Sequence, residues 1–273
     1  MHSSDVRAKY SLKLAHVLSL AVGLCMAGAS LAGLLLQNSL YPTDELRHSF
    51  LANEFVNLFI GLLVLLISLW LWHRGQLAGL LLWPGALLYI LYNYIAYLIG
   101  VPFGWLSFVY LVLVMLSAYL LFYLLSVMDQ TSIQEQLAGD VPVKIAGLVL
   151  VGLGALFLLR ALGMIVTTSL NQMALPRSEI GVLTADVILS LIWIAGGVLL
   201  LRRRPLGYAL GLGLLFSGSM LFIALIVFLL LGPALTGMPL ALIDVIVVLV
   251  MGMVCFIPFF LFLRAVLSKS GPS

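Results

Sequence analysis

The chain has 273 residues, 64% of them hydrophobic and 8% charged, with a formal net charge of +3. Soluble domains carry about 45–50% apolar and about 25% charged residues, so this composition excludes a water-facing globule and leaves room for no separate soluble domain. The basic residues stand singly or in one triplet at the ends of apolar runs, where membrane topology explains them. Nucleic acid is not an expected partner.

The first apolar run, 14–36, follows Arg7, Lys9 and Lys13. It contains Ala27-Gly28-Ala29, a signal-peptide-like cleavage stretch, but it is long for a signal core. Leu24 before Cys25 argues against a lipoprotein signal. The run is therefore the first predicted span, and Gly23, Gly28 and Gly33 suit close helix approach in lipid. A polar loop over 38–53 holds Pro42, Asp44, Glu45, Arg47 and His48, and a second span, 54–72, closes with His73-Arg74. No charged residue occurs over 75–128, which is too long for one helix. Gly100-Val101-Pro102-Phe103-Gly104 supplies the break between spans 77–99 and 104–127.

The polar stretch 129–142 reads as a linker. Its Ser132-Ile133-Gln134-Glu135 fits a capping box and predicts a short surface helix. The fifth span, 143–167, carries Arg160; a loop over 168–180 holds Pro176, Arg177 and Glu179. Spans 181–201, 206–231 and 239–263 follow, with Arg202-Arg203-Arg204 after the sixth and Arg264 after the eighth. Gly232-Pro233 and Gly237-Met238-Pro239 are the predicted turns between the last two. Pro84 can kink the third span, and the glycines of the seventh favour tight packing.

Ten basic residues fall on the N-terminal side of this topology and only two, Arg47 and Arg177, on the other. That asymmetry predicts a cell-membrane protein with both termini cytoplasmic. Residues 51–100 and 183–232 also resemble each other. Glu54 matches Asp186, and Gly75, Gly79 and Gly100 match Gly207, Gly211 and Gly232, all at one offset (186 − 54 = 132). Pro176-x-x-Glu179 echoes Pro42-x-x-Glu45, and Lys144 echoes Lys13. The expected fold is an all-α integral membrane protein of eight transmembrane helices. They form two parallel-repeat four-helix bundles, 1–128 and 143–273, joined by 129–142. Four spans per unit insert both units the same way up, about an axis along the membrane normal. The competing explanation is compositional likeness among leucine-rich helices.

Asp186 lies sixteen residues from Arg202, and Arg160 sixteen from Lys144, which places both ~24 Å from the inner basic residues at about 1.5 Å per residue. A charge at mid-bilayer costs about 2.5–3.5 kcal/mol on insertion scales, so an Arg160–Asp186 ion pair is expected. Asp244 and Glu54 count to the outer boundary. Asn93, with Tyr92, Tyr94 and Tyr97, reaches the outer end of its span, and Asn57 sits one turn below Glu54. The candidate substrate-binding residues are Asp186, Arg160, Asp244, Glu54, Asn93 and Asn57, around a shallow polar cavity open to the outside. There Asp186 and Asp244 would hold a cation, a proton or a polar head group. Against this, Glu54 and Asp244 also fit helix N-terminal positions, where a carboxylate gains about 0.3–1 kcal/mol. The tyrosines also fit an interfacial belt.

No catalytic residue, metal site or cofactor is expected. Cys25 and Cys255 sit in apolar runs, and His2, His16, His48 and His73 are scattered. No mid-span lysine offers a Schiff base, and no Gly-rich phosphate loop is present. The leading function is a small transporter or permease with its site near the extracytoplasmic face. The alternatives are an accessory or scaffold subunit and an enzyme acting on a lipid or quinone. Expected partners are membrane lipids, a small polar or lipidic substrate, and a second copy of the chain or a partner subunit.

Overall fold

The computed structural model describes residues 2–172, 174–237 and 239–269. Among these the chain is helical throughout, without strands, and eight helical runs are long and apolar enough to cross a bilayer. The elements are α1 (His2–Leu35), α2 (Gln37–Leu40), α3 (Asp44–Val56), α4 (Leu62–His73), α5 (Leu77–Gly100), α6 (Trp105–Val127), α7 (Gln130–Leu137), α8 (Val143–Leu170), α9 (Arg177–Leu201), α10 (Pro205–Thr236) and α11 (Leu242–Ser268). A π-turn over Asn57–Gly61, in which Leu62 N–H bonds to the Asn57 carbonyl, fuses α3 and α4 into one run, Asp44–His73.

Several boundaries depart from the expected spans, among them the start of α9 at Arg177 rather than 181. The second span begins at Asp44, not near 54, because Thr43 caps α3 through the Leu46 amide at 3.3 Å, and Asp44 and Glu45 occupy its first turn. Carboxylates there are favoured by the helix dipole, so the helix runs on after its sequence turns polar. Gly232-Pro233 does not turn the chain: α10 continues through both and ends at Gly237, whose left-handed φ of 73° suits glycine. The eighth span is 242–268 rather than 239–263. Met238 of that expected turn, like residues 1 and 270–273 of the expected units, lies outside the described residues. In the linker, Asp129 rather than Ser132 caps α7, accepting the Ser132 amide at 3.1 Å.

α5 is buried on nearly every face, packed by α4, α6, α9 and α10; the other long helices keep an apolar outer stripe. Contact between α5 and α10 is backbone to backbone. An added Cβ on Gly85 would overlap the Gly213 carbonyl, and one on Gly213 would lie 2.9 Å from the Leu81 oxygen. α9 reaches α5 in the same manner, where a Cβ on Gly181 would overlap the Ala96 carbonyl. Glycine is what permits these approaches in the absence of a hydrophobic drive between helices.

The turns before α5 and α10 are built alike. Arg74, Gly75 and Gln76 donate to the carbonyls of Trp70, Trp72 and Leu71; Arg202, Arg203 and Arg204 donate to those of Val198, Leu200 and Leu199. Gly75 and Arg203 both take positive φ, 73° and 53°. Gly79 packs on the backbone of Leu71 and Trp72 as Gly207 packs on Leu199 and Leu200. These two turns are alike at a spacing of 128 residues (207 − 79 = 128), beside the 132 of the sequence matches. At this spacing Gly85 is the counterpart of Gly213, the residue it touches. α1 packs on α3, α4 and α6, and α8 packs on α9 and α11. α5 bridges to α9, and α10 bridges to α3.

α1 enters and α11 leaves at one end of the bundle. There His16 and His73 lie with ring centroids 6.2 Å apart, and Lys269 pairs with Asp140 at 2.7 Å. α7 docks at this end too, with Gln134 donating to the Arg203 carbonyl at 2.7 Å. The polar side chains of interest gather at the opposite, far end.

Candidate functional site

Arg160 on α8 donates from Nη1 to Asp186 Oδ2 on α9 at 2.6 Å, the ion pair expected from matched depth. Tyr92 on α5 donates to the other oxygen at 2.9 Å, and Ser190 Oγ donates to the Asp186 carbonyl at 2.6 Å. Both carboxylate oxygens are thus occupied. The pair is lopsided: the Asp186 side chain is 1% exposed and that of Arg160 47%. Asp186 is walled in by its partners and is not in the lining of the far-end cavity described below.

Glu54 does not cap a helix. It lies inside the fused α3–α4 run, fully buried, and accepts a hydrogen bond from Tyr41 Oη. The hydroxyls of Ser30 and Tyr97 lie against the same carboxyl, Ser30 without hydrogen-bond geometry. Gly33 of α1 faces it, and any side chain there would collide with the carboxyl. Burial, and then the neighbouring Glu54, pushes the Tyr41 phenol above its usual range, so Tyr41 remains a donor. Tyr94, Tyr97 and Tyr110 close the cluster, with ring centroids 5.4–5.7 Å apart. Tyr94 and Tyr97 of α5 and Tyr110 of α6 are core residues and form no interfacial belt, because the helix faces that carry them are covered by neighbours.

Asn57 opens the π-turn, buried, with Nδ2 unpartnered among the described residues. Asp244 stands exposed in the first turn of α11, in no ion pair among the described residues, which is the helix-terminal placement. The expected meeting of Asp186 with Asp244 does not occur.

The far end does hold a cavity, of about 270 Å³, between α3, α5, α8, α9 and α10. Ser49, Asn53, Tyr92, Asn93 and Glu179 supply its polar wall, and Phe50, Tyr97, Phe157, Leu221, Phe222 and Phe228 much of the rest. It sits just below the usual range of ligand sites, about 300–1,000 Å³, and is apolar with a few convergent polar groups, as such sites are. Asn93 is the one sequence candidate in its wall. Tyr92 links that wall to Asp186, and Phe50 and Tyr97 link it to the Glu54 cluster, through a Tyr97 hydrogen bond to the Phe50 carbonyl at 3.3 Å. Glu179 was visible in the sequence only as one acid of the 168–180 loop; its companions come from five helices, and no local pattern joins them.

Compared with known proteins, the chain matches no family model, no curated protein and no solved structure. Length and apolarity of its helices define the class: a polytopic α-helical membrane protein whose lipid-facing surface is built from eight spans.

Proposed function

We propose that this protein is a small transporter or permease whose substrate site is the far-end cavity. In this reading the chain is two four-helix units, 1–128 and 143–273, inserted the same way up in the cell membrane. Both termini are cytoplasmic and the cavity lies toward the extracytoplasmic face. The repeat is supported by the like-built turns at a spacing of 128 and by the self-matching contact of Gly85 with Gly213. Orientation rests on the lysines and arginines gathered at the termini end.

One observation carries the functional reading: a cavity between the two units, lined from both, with a few polar groups among phenyl and phenol rings. Binding at a repeat interface is how parallel-repeat transporters are organised. The ion pair enters as support, since it fixes Tyr92 in the wall. A scaffold subunit is the second reading, favoured by the full occupancy of Asp186.

Alternating access separates the two without knowledge of the substrate. In a background lacking Cys25 and Cys255, Asn93→Cys in oriented proteoliposomes should react with an impermeant maleimide added to either face. Reaction from one face only, or from neither, would leave the scaffold reading standing and remove transport.

A further inference from the structure

We propose that the cavity takes an organic cation, with a positively charged nitrogen held by Glu179 and an apolar body against the aromatic wall. The proposal rests on the reading of this cavity as the substrate site and names the class of molecule that fits it.

Most donors of the wall's polar side chains are already committed to the protein, one N–H of each asparagine amide remaining. Ser49 Oγ donates to the Glu45 carbonyl at 2.9 Å, and Tyr92 Oη to Asp186 at 2.9 Å. Tyr97 Oη donates to the Phe50 carbonyl at 3.3 Å. The amides of Asn53 and Asn93 donate to the carbonyls of Ser49 and Tyr89, at 3.4 and 2.9 Å. What this wall retains for a guest is mainly acceptor oxygen. Glu179 Oε2 is the strongest of these: it is shielded from solvent and has no hydrogen-bond partner among the described residues.

Charge points the same way. No lysine, arginine or histidine lines the cavity. The nearby Arg160 is committed to Asp186, and the solvent-exposed Arg177 makes no ion pair with Glu179. Asp186 and Arg160 offset one another, whereas Glu179, within electrostatic reach of Asp186, is in no ion pair among the described residues. A carboxylate shielded from water favours a cation beside it. The remaining wall suits the same guest, because the faces of Phe and Tyr rings attract cations, and Phe50, Tyr92, Tyr97, Phe157, Phe222 and Phe228 supply six rings. An anion would meet Glu179 with few donors to answer it.

The test is calorimetric titration of the full chain in nanodiscs with three probes of similar body: benzyltrimethylammonium, benzyl alcohol and benzoate. The cation should bind at least tenfold more tightly than the alcohol, and benzoate not at all. Glu179→Gln should weaken the cation at least tenfold and leave the alcohol unchanged. Glu179→Asp, which keeps the charge, should retain part of the affinity and serves as the deciding variant if the glutamine form melts early. Equal binding of cation and alcohol, indifferent to Glu179→Gln, would overturn the cation assignment while leaving the cavity as a binding site. Equal weakening of all probes would make Glu179 a structural residue and overturn it as well. Binding of none would remove both the cation and the cavity reading.

Discussion

Two carboxyls are buried at the far end, and they are accommodated differently. Asp186 is matched by an arginine; Glu54 is surrounded by hydroxyls with no cation in an ion pair among the described residues. Breaking a buried pair costs about 3–5 kcal/mol when the remaining charge stays buried. Arg160→Ala should therefore lower the unfolding free energy in detergent by about that amount, since Asp186 keeps only Tyr92. Asp186→Asn should cost clearly less, because the half-exposed Arg160 can extend its head toward the interface. Equal losses from the two variants would contradict this asymmetry. At Glu54 the ordering turns on the acceptor: Glu54→Gln preserves one for Tyr41, whereas Glu54→Leu strands the hydroxyl at about 1–3 kcal/mol. Chemical denaturation of the two variants gives the ordering directly. The ion pair was legible from the sequence because depth is a count along one helix. The Glu54 cluster was not, because Tyr41, Ser30, Gly33 and Tyr97 reach it from separate segments and no spacing records that meeting.

At the scale of elements, the turns at 74–76 and 202–204 share their hydrogen bonds, yet one places glycine and the other arginine at positive φ. Left-handed backbone costs a non-glycine residue about 1–2 kcal/mol. Arg203→Gly should thus raise stability by about 1 kcal/mol, and Gly75→Ala should lower it by a similar amount; melting of the purified variants reads both signs. Hydropathy placed all eight spans but stopped short wherever a helix outruns the lipid. Asp44, Glu45, Arg47 and His48 are polar, and capping by Thr43, not burial, decides that they are helical. Hydropathy also stopped early at Pro233, since proline normally ends a helix. The proposed repeat takes a spacing of 132 from the sequence and 128 from the turns for a related reason. A shift of four is close to one helical turn of 3.6 residues, so it preserves the buried face and lets leucines and glycines match almost as well. Only the turns, whose bonds admit no such shift, distinguish 128 from 132. The π-turn at Asn57–Gly61 is a further irregularity that composition does not reveal.

At the scale of the whole molecule, the proposed pair of units meets where α5 crosses α10, and the crossing is made by two glycines that touch each other. If Gly85 and Gly213 are one contact seen from both sides, substitutions there cannot act independently. Gly85→Ala inserts a methyl into the Gly213 carbonyl and forces α5 away from α10. Overpacking of this kind costs about 1–3 kcal/mol. Gly213→Ala meets Leu81 O at 2.9 Å and Gly85 N at 3.1 Å, and forces the same separation. Once the first methyl has parted the helices, the second finds part of its space already open. The double variant should therefore lose less than the sum of the singles, with a coupling beyond the about 0.3–0.5 kcal/mol within which distant sites add. Gly181→Ala, at the α9 crossing of α5, provides the contrast: it wedges α5 from another neighbour and should add nearly fully to Gly213→Ala. Unfolding free energies of the three single and two double variants in mixed micelles measure the coupling. Simple additivity at the 85–213 pair would mean that each glycine is needed for its own surroundings, and that the two halves of the chain do not hinge their packing on a shared point.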